Sequence, residues 1–142
     1  MGEEVMISRP CLRNMADPRS VPNPITGSDP DHMTLYYAGT SDSGGVHVNA
    51  NILNQWLYLW LNGGTNRTSR IAVTGLTTRL GQDAAFRLGE RAYYRALTRY
   101  LSPSSSFRTF RAAMLQAITD LAGSGSPAVS EATSAFNAIG LR

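Results

Sequence analysis

Asp42 stands five residues before His47, with Gly44 and Gly45 between them. Two glycines let the chain fold back on itself, so the carboxylate can orient the imidazole through a hydrogen bond. An imidazole held in this way is an acid or donor with a fixed direction. The plainer alternative is a surface turn ahead of an ordinary helix start. His32, the other histidine, lies far from His47 in the chain and lacks the i, i+4 helical spacing that brings two imidazoles to one metal. The sequence contains no H-E-x-x-H. It therefore supplies no complete zinc site. All thirteen basic residues are arginine, and Arg87, Arg91, Arg95 and Arg99 fall four apart on one helix face, a spacing to weigh as a phosphate-binding stripe. Asp83 and Glu90 lie beside them without interleaved aromatic residues, which favours a solvated face over a nucleic-acid reader.

A chain of 142 residues with a net charge of +3 reads as a single domain, 1–142, able to bury its own core. No apolar run approaches the roughly 20 residues of a membrane helix, and the acidic start Met1-Gly2-Glu3-Glu4 is unlike an export signal. The lone Cys11 leaves the redox compartment undecided. Residues 1–46 are irregular, since Pro10, Pro18, Pro22, Pro24 and Pro30 forbid long helices. Residues 47–142 form a mainly α-helical bundle of about four helices. The first runs from Asn49 to about Leu61 with apolar residues on every side, so it is largely buried; Asn49 or Asn51 can cap it, and Asn62-Gly63-Gly64 ends it. A β-like run, Ile71 to Thr74, precedes a helix from Gln82 to Leu101 whose inner face reads Ala85, Leu88, Ala92, Ala96 and Tyr100, with Tyr93 and Leu97 beside it. A third helix follows Ser104 to Ser106 and reaches Gly123, with Met114 as core filler. The fourth starts at Ser126-Pro127 and stops at Gly140. The acids Asp29 and Asp31 read as turn residues.

The whole stretch around the acid and histidine resembles the C-terminal lobe of the thermolysin-like zinc metalloproteases, whose pattern is D-x-G-G-V-H-x-N-S-G-I-x-N. Asp42, Gly44, Gly45, Val46, His47, Asn49, Ile52 and Asn54 match it. Ala50 and Asn51 depart at the Ser-Gly pair, a departure that touches the helix start rather than the chemistry. Gly2-Glu3-Glu4-Val5 resembles the family's G-E-D-V, Leu12 to Pro18 its L-R-S-M-x-D-P, Asp29 to Met33 its D-P-D-H-Y, and Tyr37 to Thr40 its Y-x-G-T. Tyr93 to Pro103 and Ala135 to Leu141 resemble its F-Y-R-A-L-T-x-Y-L-T-P and A-F-x-A-V-G-V, all in the right order.

The resemblance implies the helical C-terminal part of a secreted zinc metalloendopeptidase acting on polypeptides. It makes His47 the donor to the oxyanion of the tetrahedral intermediate and Asp42 the acid that holds it. Arg13 becomes the group that binds the substrate carbonyl beyond the scissile bond, and Leu12 a wall of the pocket for hydrophobic side chains. The plainer role for Arg13 is an ion pair with Asp17. Glu3 matches one acid of the family's calcium site, whose other ligands lie upstream, and His32 matches a position with no assigned chemistry. Residues 1–46 would line the cleft against a metal-bearing N-terminal lobe, so the chain alone is expected to be inactive. Two alternatives remain beside this reading: a stand-alone degenerate lobe that binds or complements a protease partner, and a basic helical nucleic-acid module built on the Arg87 to Arg99 face.

Overall fold

The computed structural model describes residues 11–142. It is mainly α-helical, as the sequence implies, with five α-helices among the described residues: α1 (Ser41–Asn62), α2 (Leu76–Leu80), α3 (Gln82–Arg99), α4 (Phe107–Ala122) and α5 (Pro127–Ala138). Two short antiparallel ladders accompany them. Pro22–Asn23 (β1) pairs with Gly27–Ser28 (β2), and Gly64–Thr65 (β3) with Ala72–Val73 (β4).

The centre of the fold is α1, whose apolar residues surround its axis and whose partners are α5, α3 and α2. Trp56 stacks on Phe136 of α5 with ring centroids 4.4 Å apart and on Trp60 at 5.3 Å, and Phe110 of α4 meets it edge-on at 5.6 Å. Such wide rings fit because the facing helices are lined with alanine: Ala92 and Ala96 on α3, Ala113 and Ala117 on α4, and Ala128, Ala132 and Ala135 on α5 are buried. Each indole N–H also finds an acceptor, as buried tryptophans require. Trp56 Nε1 donates to Ala132 O at 3.2 Å and Trp60 Nε1 to Ala128 O at 3.1 Å.

Helix α2 was not among the expected elements. Five residues between Gly75 and Gly81 are too few to show a period, yet Leu76 is fully buried and Arg79 pairs with the buried Glu131 of α5 at 3.0 Å. Gly75 is required there because its α-carbon crosses the end of α1, where an added Cβ would lie 2.2 Å from the Gly63 nitrogen. On α3, Ala85, Ala92 and Ala96 face inward as expected, but Leu97 and Tyr100 are exposed. Tyr100 turns out to donate its hydroxyl to Asp120.

Residues 11–40 hold no α-helix, only the β1–β2 ladder and two single turns of 3₁₀ helix, and are joined to the rest of the chain through polar groups. Asp29 and Asp31 are buried rather than simple turn residues. Asn23 Nδ2 donates to the Asp29 carboxylate at 2.7 Å. Asp31 accepts from Thr68 through both its backbone N–H and its hydroxyl, while its carbonyl accepts from the buried Asn66 at 2.8 Å. Met33 N donates to Ile139 O at 2.8 Å, which ties the segment to the far end of the chain. Asp17 pairs with Arg67 at 3.2 Å.

The α3–α4 contact carries a charge cluster. Asp120 accepts from Tyr100, from Arg95 Nε at 2.7 Å and from Gln116 Nε2 at 2.7 Å, and these bonds, that from Tyr100 first, lower its carboxyl from the ordinary 3.8 to about 2. A carboxylate whose pKa falls on folding stabilises the fold in full above its unfolded value, and that contribution is lost as pH falls through the folded value. Asp120→Asn is therefore expected to lower the melting temperature at pH 7. The gap from the parent should narrow as pH drops from 4 towards about 2; thermal melts of both proteins across that range check it, and a gap independent of pH would refute it.

Candidate active-site turn

The opening of α1 departs from helical geometry: four successive residues lie in the left-handed region, Asp42 (φ 54°), Ser43 (50°), Gly44 (81°) and Gly45 (80°), and form a turn before the regular part of the helix. Such a run reverses the chain in very little space, and the two non-glycine residues in it are strained by roughly 1–2 kcal/mol each. The reversal brings the Asp42 carboxylate over the first regular residues of the helix. Its Oδ2 accepts from the backbone N–H groups of His47 at 2.8 Å and Val48 at 2.9 Å. Its Oδ1 lies 2.6 Å from His47 Nδ1. Asp42, not Asn49 or Asn51, caps the helix. The bond from the His47 ring, followed by that from Val48 N–H, holds the Asp42 carboxyl below its ordinary 3.8, so it is ionised at neutral pH and accepts only. The proton on the shared hydrogen bond therefore sits on Nδ1. Apart from that bond the His47 side chain is 78% exposed.

Tyr37 and Asn49 support the turn from beneath. The Asn49 amide is buried and pairs with the Tyr37 backbone, accepting from Tyr37 N at 2.8 Å and donating to Tyr37 O at 2.9 Å. The Tyr37 ring lies against Gly45, where an added Cβ would stand 2.7 Å from both Tyr37 Cδ1 and Asn49 Nδ2, and its hydroxyl accepts from Ser41 N at 3.2 Å. Neither role is visible in the sequence, because Tyr37 and Asn49 are joined only by the fold. Their only signal is that both fall within the resembled pattern.

Arg13 reaches the same turn. Its Nη1 donates to His47 O at 3.0 Å and to Asn51 Oδ1 at 2.9 Å, so the structure brings Arg13 to the helix that carries His47, and Asp17, its plainer alternative partner, pairs with Arg67. The Asn51 departure thus does touch the candidate site. Leu12 is 39% exposed and, with Arg13, Ile25, Asp42, His47 and Asn51, lines a pocket of about 180 Å³. Glu3 lies outside the described residues.

The described residues do not fit a zinc ion. No three histidine, cysteine, aspartate or glutamate side chains among them come together to hold a metal. His47 Nδ1 is engaged by Asp42, and His32 Nδ1 accepts from Thr34 N at 3.1 Å on a separate element. Burial lowers the His32 pKa. Arg87, Arg91 and Arg99 lie on the exposed side of α3, and Arg95 turns to Asp120. No helix among the described residues is long and apolar enough to cross a membrane.

The family model for the thermolysin metallopeptidase α-helical domain matches residues 1–141. Thermolysin of Alicyclobacillus acidocaldarius subsp. acidocaldarius is 40% identical over 144 residues, covering 99% of this chain and 23% of its own length. The bacillolysin of Bacillus caldolyticus is likewise 40% identical over 144 residues, covering 99% of this chain and 24% of its own. The Bacillus cereus bacillolysin is 42% identical over 123 residues, 87% of this chain and 20% of its own. The chain thus spans about a quarter of the length of these curated relatives. Among solved structures, the precursor of protealysin, a metalloproteinase from Serratia proteamaculans, shares the fold with a TM-score of 0.71 at 22% identity, over all of this chain and 40% of that one.

The turn geometry separates its two glycines. A Cβ at Gly44 meets nothing within 4 Å, whereas one at Gly45 collides with Tyr37 and Asn49. Gly44→Ala is expected to cost about 1–2 kcal/mol from backbone strain alone, and Gly45→Ala clearly more. Urea titrations of the two variants check this, and equal costs would contradict the packing of Tyr37 beneath the turn.

Proposed function

The chain belongs to the thermolysin metallopeptidases, whose α-helical domain it forms, and from that membership we propose that its turn is the oxyanion-binding half of a peptide-hydrolysing site. His47 is the donor, Asp42 its orienting partner, Arg13 the clamp on a substrate carbonyl, and Leu12 a wall of the pocket for the adjoining hydrophobic side chain. The observation that carries this reading is the 2.6 Å bond between Asp42 and His47 Nδ1 on an otherwise exposed imidazole.

The roles follow from proton placement. With Nδ1–H committed to Asp42, the outward Nε2 can donate only when the ring carries both protons. Addition of water to a peptide carbonyl moves negative charge onto its oxygen. A fixed N–H directed at that oxygen is worth more in the transition state than in the ground state, because the charge it meets is still growing. The planar guanidinium of Arg13 suits a different task, holding a neutral carbonyl so that the peptide lies in register with His47.

Zinc, by family resemblance, supplies activation of the attacking water, and residues outside those described here would hold it. The partner is therefore a metal-bearing lobe, the substrates are polypeptides, the location is extracellular, and residues 1–142 alone do not cleave peptides. Calcium belongs to the same reading through Glu3.

The test is a chimera in which this chain replaces the homologous C-terminal quarter of Bacillus caldolyticus bacillolysin. His47→Ala is expected to lower kcat by roughly 10²–10³ with little change in KM, the usual cost of one oxyanion donor. Arg13→Ala should chiefly raise KM. Steady-state peptide cleavage reads both, and an active chimera whose kcat is indifferent to His47→Ala would overturn the assignment.

A further inference from the structure

We propose that Asn51 is a positioning residue that docks the guanidinium of Arg13 onto the helix turn bearing His47. This deepens the reading of Arg13 as a substrate clamp and rests on it. Asn51 is 3% exposed, and both ends of its amide are used. Its Nδ2 donates to Val48 O at 3.1 Å, a carbonyl one turn back on the same helix, which fixes the amide plane. Its Oδ1 then points out of the helix and accepts from Arg13 Nη1 at 2.9 Å. Asn54, three residues on, directs its Nδ2 to the same oxygen at 3.4 Å. The same Arg13 nitrogen also donates to His47 O at 3.0 Å, so one guanidinium nitrogen is held between a side chain and the backbone of the histidine itself.

In the family pattern this position is glycine, which has no side chain to hold an arginine. Here Asn51 makes Arg13 and His47 parts of one rigid body. Arg13 lies in the segment before α1, and its bond to Asn51 fixes the spacing between clamp and donor across the two elements. A hydrogen bond from a charged donor to a buried, preoriented amide is among the stronger neutral-acceptor contacts.

Asn51→Ala removes the acceptor while introducing the best helix former, so loss of the helix would not explain its effect. Asn51→Asp keeps an acceptor towards Arg13 and serves as the rescue variant. The first measurement is made on the 142-residue chain with ¹⁵N-labelled arginine. Arg13 Nη resonances are expected to be separately resolved in the parent and in Asn51→Asp, and to exchange with one another measurably faster in Asn51→Ala, where the bond to His47 O remains. Unchanged Arg13 resonances in Asn51→Ala would overturn the proposal.

The second measurement uses the bacillolysin chimera. Asn51→Ala should raise KM about tenfold, with kcat within about twofold of the parent, the size of one hydrogen bond to a charged group. Asn51→Asp should restore KM. A fall in kcat with KM unchanged, or no rescue by aspartate, would mean general loosening of the turn and would also overturn it. If the parent chimera is inactive, the functional reading fails, and the resonance measurement alone decides whether Asn51 holds Arg13.

Discussion

Four consecutive left-handed residues are a conformation that a chain keeps only when its surroundings leave no alternative. From Asp42 to Gly45 that enforcement comes from a single carboxylate and a single ring. The carboxylate gathers two backbone N–H groups and an imidazole N–H, and each bond is possible only if the chain has reversed. Beneath it, the Tyr37 ring and the Asn49 amide occupy the volume into which a relaxed turn would expand. Strain and presentation are thus the same feature: the geometry that costs backbone energy is the one that presents His47 outward with its inner nitrogen already committed.

The remainder of the molecule divides into two kinds of scaffold. One is the tryptophan and alanine core around α1, where broad rings fill the space that small side chains leave on α3, α4 and α5. The other is the polar stitching of the irregular segment, where Asp29, Asp31, Asn66 and Thr68 fix backbone that has little apolar surface to bury. Buried acids of this kind hold a loop only while every partner is present, which makes the segment specific in shape rather than generously stable. Arg13 stands at the junction of the two scaffolds.

The sequence disclosed the helical class, because glycine and proline punctuate it and the apolar spacing of α1, α4 and α5 is strong. It also disclosed the acid and histidine pair, since a carboxylate, two glycines and an imidazole within six residues form a local unit. What it concealed was long-range. Nothing local tells a turn aspartate from Asp31, whose partners lie beyond residue 65. Periodicity placed Tyr100 on the inner face of the helix and Leu97 beside it, but both are exposed, and Tyr100 stands just past the end of α3. Asn49 and Asn51 looked like interchangeable caps; one proved to pair with the backbone of residue 37 and the other with a side chain at residue 13. Helix α2 left no periodic trace because it spans little more than one turn.

The two indole N–H bonds make α1 behave as a ruler. Trp56 and Trp60 are one turn apart, as are their acceptors Ala132 and Ala128, and the helices run in opposite directions. A slide of α1 along α5 would break both bonds at once, since neither donor finds its neighbour's acceptor until a full turn has passed. His47 lies nine residues before Trp56, about 14 Å along a stiff helix at 1.5 Å per residue. How far the imidazole projects from the protein is therefore graduated by two tryptophans that never approach it. A repacking of α5 would be read at the opposite end as a change in reach.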